Sequence, residues 1–332
     1  MNFYLHILIF ILILFFYIHI VHQYKRSEDL EIYEMDYSSN AHLQEVCDVK
    51  QPILFEYKSV APNFYETVTY DDMLSDQYAS YDIKVKESAD YWENDTSVDY
   101  VVLPYSSGSN LMKTDSKSAY FSENNEDFVE ESGLISELSE NDSNFKPGLV
   151  VQTKYDIMLG SRGVCLPLRY HTNYRQFLSV NSGKIRVKMT PWKSNKYLYQ
   201  NRDFETYEFR SPINVWSDGG TPSTTKSGGF LKPSKKYRNE MDKIKFLEFD
   251  VVEGSVLSIP PYWWYSIQYD NGLDTLICSF TYNSLMNSVS NIPYFVKYYI
   301  QQSNIQKRVA KVIKFEPVEE PAEDGGEDAI GV

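Results

Sequence analysis

The chain has 332 residues, of which 42% are hydrophobic and 15% aromatic, and this is enough for one large domain or two small ones. Its formal net charge of −14 argues against a nucleic-acid-binding protein, because phosphate contacts require a surface rich in Lys and Arg. The 28 tyrosines favour strands over helices.

The first predicted element is an apolar helix over residues 2–21, which contains no Lys, Arg, Asp, Glu, Gly or Pro. About 20 such residues span the hydrocarbon core of a bilayer, so we assign residues 1–24 to a single-pass membrane anchor. A cleaved signal peptide is the alternative. The run lacks a preceding basic segment and a following small-x-small cleavage site, and both features favour the anchor.

The charges next to this helix predict the side of the membrane on which the domain lies. Lys25 and Arg26 follow the helix and no basic residue precedes it, which predicts a cytosolic domain. An odd number of well-separated cysteines suits a reducing compartment; they are Cys47, Cys165 and Cys278. Glycosylation sequons at Asn94 and Asn141 would matter only in a luminal domain.

The rest of the chain divides into three further parts. Residues 25–40 are a polar stalk, residues 41–314 form the main domain, and the acidic tail 315–332 is predicted to be disordered. Within the domain, residues 87–148 are an acidic, insertion-like segment with short helical pieces. Ahead of it we predict a helix from His42, a strand over residues 52–57 and a helix around residues 71–78.

Short strands dominate from Leu149 onward. The Asn-Ser-Gly turn at residues 181–183 and the alternation from Lys184 to Met189 predict a half-exposed hairpin. Two strands meeting at Glu253-Gly254 follow a flexible loop over residues 217–240. A strand over residues 275–282 and helical residues over 292–313 complete the domain. This succession of short strands and turns predicts a β-barrel or jelly roll with peripheral helices.

An aromatic block, "IPPYWWYSIQY", occupies residues 259–269. Its two prolines stiffen a bend after Ile259. Trp263 and Trp264 alternate along the next strand, so we expect one to pack inside the barrel and the other outside it.

Three segments taken in order resemble a cupin-like JmjC domain. They are "LRYHTNYRQFLSVNSGKIRVKMTPWKS", "EFRSPINVW" and "FDVVEGSVLSIPPYWWYSIQY". The earlier "HLQEVCDVKQPILF" is similar to the segment that precedes the barrel in that family, and the resemblance extends over about residues 35–300. It is particularly marked with the membrane-anchored cupin-like proteins of large DNA viruses. The resemblance implies a mainly β fold, the double-stranded β-helix or jelly roll, and allows a virion interior as the location of the domain.

Active relatives, as the resemblance implies, are iron(II) and 2-oxoglutarate oxygenases that hold iron with two His and one carboxylate. Their His-x-Asp positions fall here on Tyr170 and Thr172, or on Arg169 and His171 if the turn holds one extra residue. The sequence His171-Thr172-Asn173 needs a further shift and still lacks a carboxylate. The distal histidine position falls on Tyr265.

The lysine that binds the carboxylate of 2-oxoglutarate in these relatives corresponds to Ile185 here. The neighbouring Lys184 or Lys188 could substitute for it. Of the five histidines, only His171 lies among the barrel strands. We therefore expect no catalytic residue, no metal and no cofactor, and interpret the domain as a structural or interaction module.

The alternative is an atypical oxygenase using Fe(II) and 2-oxoglutarate, or a small-ligand-binding cupin. Its site would lie around Tyr170, His171, Asn173, Lys184 and Tyr265. The bilayer is the expected partner of residues 2–21, whereas the sequence does not identify a protein partner. Cys165 is interpreted as a packing residue, and Arg210 as part of a structural ion pair in preference to an anion contact.

Overall fold

The computed structural model describes residues 3–93, 99–204, 206–216 and 242–304. Several predictions fall outside these residues: the loop at 217–240, the tail at 315–332, helix beyond residue 304 and the sequon at Asn94.

The described residues form ten α-helices around a β-sheet core. These are α1 (Phe3–Gln23), α2 (Asn40–Cys47), α3 (Pro62–Thr67), α4 (Asp90–Glu93), α5 (Tyr105–Thr114), α6 (Glu126–Glu131), α7 (Ile135–Ser139), α8 (Asp142–Phe145), α9 (Leu285–Ser290) and α10 (Ile292–Asn304).

Fifteen strands in the described residues make two sheets. They are β1 (Tyr33–Glu34), β2 (Ile53–Glu56), β3 (Asp82–Glu87), β4 (Tyr100–Pro104), β5 (Tyr120–Ser122), β6 (Val150–Gly160), β7 (Arg169–Tyr170), β8 (Arg175–Ser182), β9 (Lys184–Thr190), β10 (Asn201–Asp203), β11 (Glu208–Arg210), β12 (Leu247–Val252), β13 (Ser255–Ser258), β14 (Trp264–Tyr269) and β15 (Leu276–Ser284). The large sheet has the order β1-β2-β13-β8-β15-β6-β5-β3-β4, and the small sheet β10-β11-β7-β14-β9-β12. The protein is therefore mainly β, as the sequence predicts.

Helix α1 is long and apolar enough to cross a membrane, with a mean hydropathy of 2.5, and its apolar window is not buried against the rest of the chain. Length and composition alone fit an anchor and a signal sequence equally well.

The elements predicted ahead of the acidic segment are present with small changes. Helix α2 starts at Asn40, because the Ser39 hydroxyl accepts a hydrogen bond from the His42 N–H at 3.3 Å and caps it. The strand expected over residues 52–57 is β2. The helix expected around residues 71–78 is only a 3₁₀ turn at Asp72–Leu74.

The predicted hairpin at residues 181–183 is wrong. Strand β8 pairs with β13 and β15 in the large sheet, whereas β9 pairs with β12 and β14 in the small one. The turn at Gly183 therefore carries the chain from one sheet to the other. The turn at Gly254 does the same between β12 and β13. Consecutive strands from β6 to β9 and from β12 to β15 alternate between the two sheets.

The predicted alternation of side chains along β9 is confirmed, because a strand presents successive residues to opposite faces. Ile185, Val187 and Met189 are buried, and Arg186 is exposed. These apolar side chains join a core between the two sheets that also contains Leu178, Leu257 and Ile267.

The two tryptophans of the aromatic block separate as expected. Trp263 belongs to the core between the sheets, and its indole N–H donates to the Lys50 carbonyl at 3.0 Å. Trp264 lies on the other side of the small sheet, in a cluster with Tyr170 and Phe209.

The acidic segment and the polar stalk both join the large sheet. Strands β3, β4 and β5 extend this sheet beyond β6, and Phe121, Phe128 and Phe145 from the acidic segment are buried. In the stalk, β1 pairs in parallel with β2.

Candidate functional site

A cavity of about 490 Å³ opens at the end of the two sheets where β7 begins and α10 crosses. Its lining comes from both sheets, from the segment after β5 and from α9 and α10. The residues that carry its chemistry are Glu123, Lys154, Asp156, Arg169, His171, Gln176, Glu208, Tyr265 and Asn291.

The cavity exists because the inward face of the large sheet changes from apolar to polar near this end. Register pairs Lys154 with Thr281 and Thr281 with Gln176, and the next row pairs Asp156 with Ser279. The third member of this row, Leu178, already belongs to the closed core, as do Ile277 and Val180 in the following row. Paired residues face the same side of a sheet, so these polar rows form one wall of the cavity.

A buried cluster of four charged groups lies beside the first residue of β7, Arg169. The Arg169 guanidinium binds both carboxylate oxygens of Glu123, at 2.8 and 2.6 Å. The Lys86 ammonium lies 3.2 Å from Glu123 and 3.1 Å from Glu208. The hydroxyl of Tyr91 contacts Lys86 and Glu208. Two cations and two carboxylates therefore neutralise one another in this cluster.

The protonation state of Glu123 follows from its partners. Burial disfavours its charged form, but Arg169 and Lys86 outweigh burial and lower the pKa of Glu123. The carboxylate is charged and hydrogen-bonded, so its oxygens are committed to the two cations.

His171 is buried, and both of its ring nitrogens have protein partners. Nε2 lies 3.0 Å from the Ile259 carbonyl and so donates to it, and Nδ1 accepts the Asn173 N–H at 3.2 Å. Burial lowers the pKa of His171 to about 3, which keeps the ring neutral. The next carbonyl, that of Thr172, accepts hydrogen bonds from Asn287 and Asn291 at 3.0 and 3.1 Å. Asn173 contacts the side chain of Asn283.

The structure distinguishes the two sequence registers considered for β7. Arg169 contacts the interior residue Glu123, and its guanidinium lies 5.6 Å from the centre of the Tyr265 ring. The Tyr170 ring instead packs against Phe209 and Trp264, at 5.1 and 4.9 Å. The inward positions of β7 and the residue after it are thus Arg169 and His171.

Tyr265 lies opposite these residues across the small sheet. It pairs in register with Arg169 on one side and with Met189 on the other, and it is 4% exposed. The edge of its ring faces His171 at a centroid distance of 6.3 Å. The structure therefore brings together His171 and Tyr265, and the other residues singled out near them, Tyr170, Thr172 and Asn173, also line the cavity.

The predicted cosubstrate positions are not in the cavity lining. Ile185 is fully buried in the core between the sheets. Lys184 starts β9, five residues before Met189, which places it roughly 17 Å along the strand from the Tyr265 row. Its ammonium lies 3.3 Å from Asp250, and Lys188 donates to the Val215 carbonyl at 3.0 Å.

Asp156 is the carboxylate in the cavity wall that has no ion-pair partner among the described residues. Its two oxygens accept backbone N–H groups from Asn124 and Asn125, at 2.8 and 2.7 Å. Burial, reinforced by the charges of Glu123 and Glu126, raises the pKa of Asp156 to about 7.

The two remaining residues singled out from the sequence lie outside the cavity lining. The Cys165 thiol is half-buried, and burial raises its pKa to about 12, so it is a poor nucleophile. The Arg210 guanidinium lies 4.9 Å above the Tyr91 ring, beside the charged cluster.

Sequence reasoning missed Glu123, Lys86, Glu208 and Asp156. Asp156 could have been found, because Gln152, Lys154 and Asp156 follow the period of two that places them on one face of a strand. Glu123 lies in the acidic segment and Lys86 immediately precedes it, and no local pattern marks either residue.

The cavity residues do not fit an iron site of the two-histidine, one-carboxylate type. His171 has both nitrogens engaged, Arg169 brings a positive charge to the neighbouring inward position, and Tyr265 has a phenol. Within the part of the chain that the structure describes, no group of three or more His, Cys, Asp or Glu residues could hold a metal ion.

Comparisons with known proteins find no family model that matches the chain and no match among curated proteins.

Proposed function

We propose that the chain is a membrane-anchored, non-catalytic cupin-like protein whose barrel acts as a structural or interaction module. The fold part of this proposal is a double-stranded β-helix made of two four-stranded halves, β13-β8-β15-β6 and β12-β9-β14-β7. The support is the alternation of consecutive strands between the sheets, which is the pattern of a jelly roll.

The observation that carries the non-catalytic assignment is the charged cluster at the start of β7. A facial iron site needs neutral imidazoles and a free carboxylate converging on one point. Here the inward positions carry the Arg169 guanidinium, the His171 ring with both nitrogens hydrogen-bonded, and the Tyr265 phenol. Glu123, the nearby carboxylate, is held by Arg169 and Lys86.

The test is iron and 2-oxoglutarate binding by the full-length chain in detergent. We expect substoichiometric iron after anaerobic loading and no saturable heat on titration with 2-oxoglutarate. The His171→Ala variant is the matched control, since any adventitious iron should be the same in both proteins. Stoichiometric iron that is lost in His171→Ala, with saturable 2-oxoglutarate binding, would refute the proposal.

The membrane part of the proposal is supported by how the end of α1 joins the domain. Gln23 is buried, the Tyr24 hydroxyl donates to the Ser290 carbonyl, and the Arg26 guanidinium lies 4.2 Å from the rings of both Trp192 and Tyr262. These contacts make the end of α1 part of the folded domain, as an uncleaved anchor would be. Mass spectrometry of the purified protein should therefore recover peptides from residues 1–24.

A second candidate function, binding of a small ligand, is favoured by the acceptors left in the cavity. Asp156 has no cation, and Asn291 Oδ1 and Gln176 Oε1 have no hydrogen-bond partner among the described residues. Buried acceptors without donors are costly, so a ligand that supplies N–H donors, such as a small diamine, suits them.

Calorimetry with 1,4-diaminobutane and with succinate, two probes of equal carbon number, tests this second function. We expect the diamine to bind more tightly than succinate, and Asp156→Asn to weaken its binding about tenfold, which corresponds to one charged hydrogen bond. Binding should also weaken below pH 7 as Asp156 is protonated. Equal binding of the two probes, or no binding of either, would exclude this second function.

A further inference from the structure

Helix α10 has an inner face that is fixed to the small sheet by aromatic contacts. The Tyr294 ring packs against Phe209 at a centroid distance of 5.5 Å. The Phe295 ring stacks on Tyr207 at 5.7 Å, and Tyr298 meets the edge of the same ring at 6.0 Å. The orientation of the helix about its axis is therefore set.

The outer face of α10 is also apolar, although it faces away from these contacts. Ile292, Val296, Tyr299 and Ile300 are 51%, 50%, 69% and 57% exposed, and Tyr299, at the edge of this face, also borders the cavity. Their spacing of i, i+4, i+7 and i+8 places them on one side of an α-helix. Leu285 of α9, which is 53% exposed, is a further exposed apolar residue close by in the chain. We call these five residues the outer apolar face.

This face lies close to the point where the anchor meets the domain. Helix α1 packs against α9, and the Tyr24 hydroxyl at the end of α1 bonds to the Ser290 carbonyl at the end of α9. Helix α10 begins two residues later, at Ile292. An anchor that spans the bilayer would hold the end of α9 and the start of α10 at the membrane surface.

We propose that the outer apolar face lies in the interfacial region of the bilayer, so that α10 is a second, non-spanning membrane contact beside the anchor. The inference rests on the membrane anchor proposed above. Apolar residues and tyrosines are the side chains that suit this depth, where the ring is buried and the hydroxyl stays hydrated.

Lipid contact explains the exposure better than a polar environment does. A surface helix of a soluble protein normally has polar side chains opposite its buried stripe, and contiguous exposed apolar patches mark a protein or membrane contact. The patch lies on α9 and on the helix that follows it, and α1 packs against α9, so this proximity to the apolar helix α1 favours lipid over a second protein.

Depth-dependent quenching in vesicles tests the proposal on the full-length chain. Single Val296→Cys and Ile300→Cys variants are labelled with an environment-sensitive fluorophore and reconstituted in phosphatidylcholine with a minor fraction of phosphatidylserine. Gln301→Cys is the matched control, because residue 301 is exposed on the same helix about 180° from Ile292. Tyr17→Cys, within α1, reports whether the anchor is inserted.

We expect nitroxide lipids to quench the labels at positions 296 and 300 at least threefold more than the label at 301. Quenching at 17 without excess quenching at 296 and 300 would overturn the inference and leave the anchor standing. A label at 296 that is shielded from water but not quenched would indicate a second protein at this face, and would also overturn it. Absence of quenching at position 17 would refute both the anchor and this contact.

Discussion

Arg169 is the residue on which the character of the cavity depends most. A buried ion pair does not always stabilise a protein, because desolvation of both groups offsets their attraction. Removing one partner is different, since the other charge remains buried without compensation. Glu123 is 2% exposed and would keep only Lys86 as a cationic partner.

We predict that Arg169→Met destabilises the protein by about 3 kcal/mol, because it leaves Glu123 undercompensated in the interior. Thermal unfolding of the full-length chain should show a midpoint lower by roughly 6–12 °C. Arg186→Met is the control, since its pair with Glu248 is largely exposed and such pairs contribute less than about 1 kcal/mol. Equal shifts in the two variants would contradict the importance of the buried cluster.

Asp156 makes stability depend on pH in a direction opposite to that of a salt-bridged carboxylate. Its folded pKa of about 7 lies above the ordinary value of 3.8, so the folded state binds more protons than the unfolded state between these values. Stability from this residue is therefore present at low pH and is lost as pH rises from about 4 to 7. The full effect is up to about 4 kcal/mol.

The Asp156→Asn variant should remove this dependence. In thermal midpoints measured from pH 4 to pH 8, the original protein should lose stability relative to the variant as pH rises. Glu123 works in the opposite sense, at lower pH, but it is present in both proteins and cancels in the comparison. A constant difference across this range would show that Asp156 is not perturbed.

At the level of single residues, the sequence singled out Tyr265 and His171, which line one cavity, but it did not decide which residues of β7 point inward. The two registers differ by one residue in a turn, and a shift of one residue reverses every side chain of a strand. Contacts with Glu123 and Phe209, both distant in sequence, distinguish the registers. Such long-range partners leave no local pattern.

At the level of elements, alternation predicted the faces of β9 but not its partners. Ile185 and Val187 are buried and Arg186 is exposed, as the period of two requires. The same pattern and a Gly turn are compatible with a hairpin and with a crossing between sheets. The apolar residues of β8 are buried on both of its faces, and this is the feature that marks it as a central strand in place of a hairpin arm.

The crossing at Gly183 depends on glycine. Its φ is +77°, and an added Cβ would lie 2.7 Å from the Asp274 carbonyl oxygen and 2.5 Å from the Thr275 hydroxyl. We predict that Gly183→Ala costs about 2 kcal/mol or more through backbone strain and this clash.

Gly148→Ala provides the control, because nothing lies within 4 Å of a Cβ added there, and we expect its effect to be within about 0.5 kcal/mol. Urea or thermal unfolding of the two variants measures the difference. A Gly183→Ala protein as stable as Gly148→Ala would mean that the strands rejoin in another way.

For the whole molecule, the cavity, α9, α10 and the end of α1 lie at one end of the two sheets, and the turns at Gly183 and Gly254 lie at the other. Ile259, whose carbonyl binds His171, follows β13, while Glu253 precedes it. If α1 is the anchor proposed above, the cavity end of the two sheets would therefore face the membrane. The sequence predicted the anchor from its composition, but the packing that sets this orientation involves residues more than 150 positions apart, such as Arg26 with Trp192.

The side of the membrane on which the barrel lies requires a glycosylation reporter other than Asn141. Asn141 is 3% exposed, its carboxamide oxygen accepts the Tyr57 hydroxyl at 2.9 Å, and its amide donates to the Leu138 carbonyl. The folded domain therefore buries this sequon, and the absence of a glycan at Asn141 would not report the side of the membrane on which the domain lies. An exposed reporter is available at Thr114, the last residue of α5, because Asp115 and Ser116 follow it and complete a sequon in Thr114→Asn.

For a cytosolic barrel, as Lys25 and Arg26 indicate, we predict that full-length Thr114→Asn made in eukaryotic cells shows no change in mobility after glycosidase treatment. The positive control is the same variant with a cleavable signal peptide in place of residues 1–24, which should enter the lumen and acquire a glycan at position 114. A glycosidase-sensitive shift in the full-length variant would reverse the orientation. It would also place Cys47, Cys165 and Cys278 in an oxidising compartment, where the burial of Cys47 and Cys278 would still protect two of the three thiols.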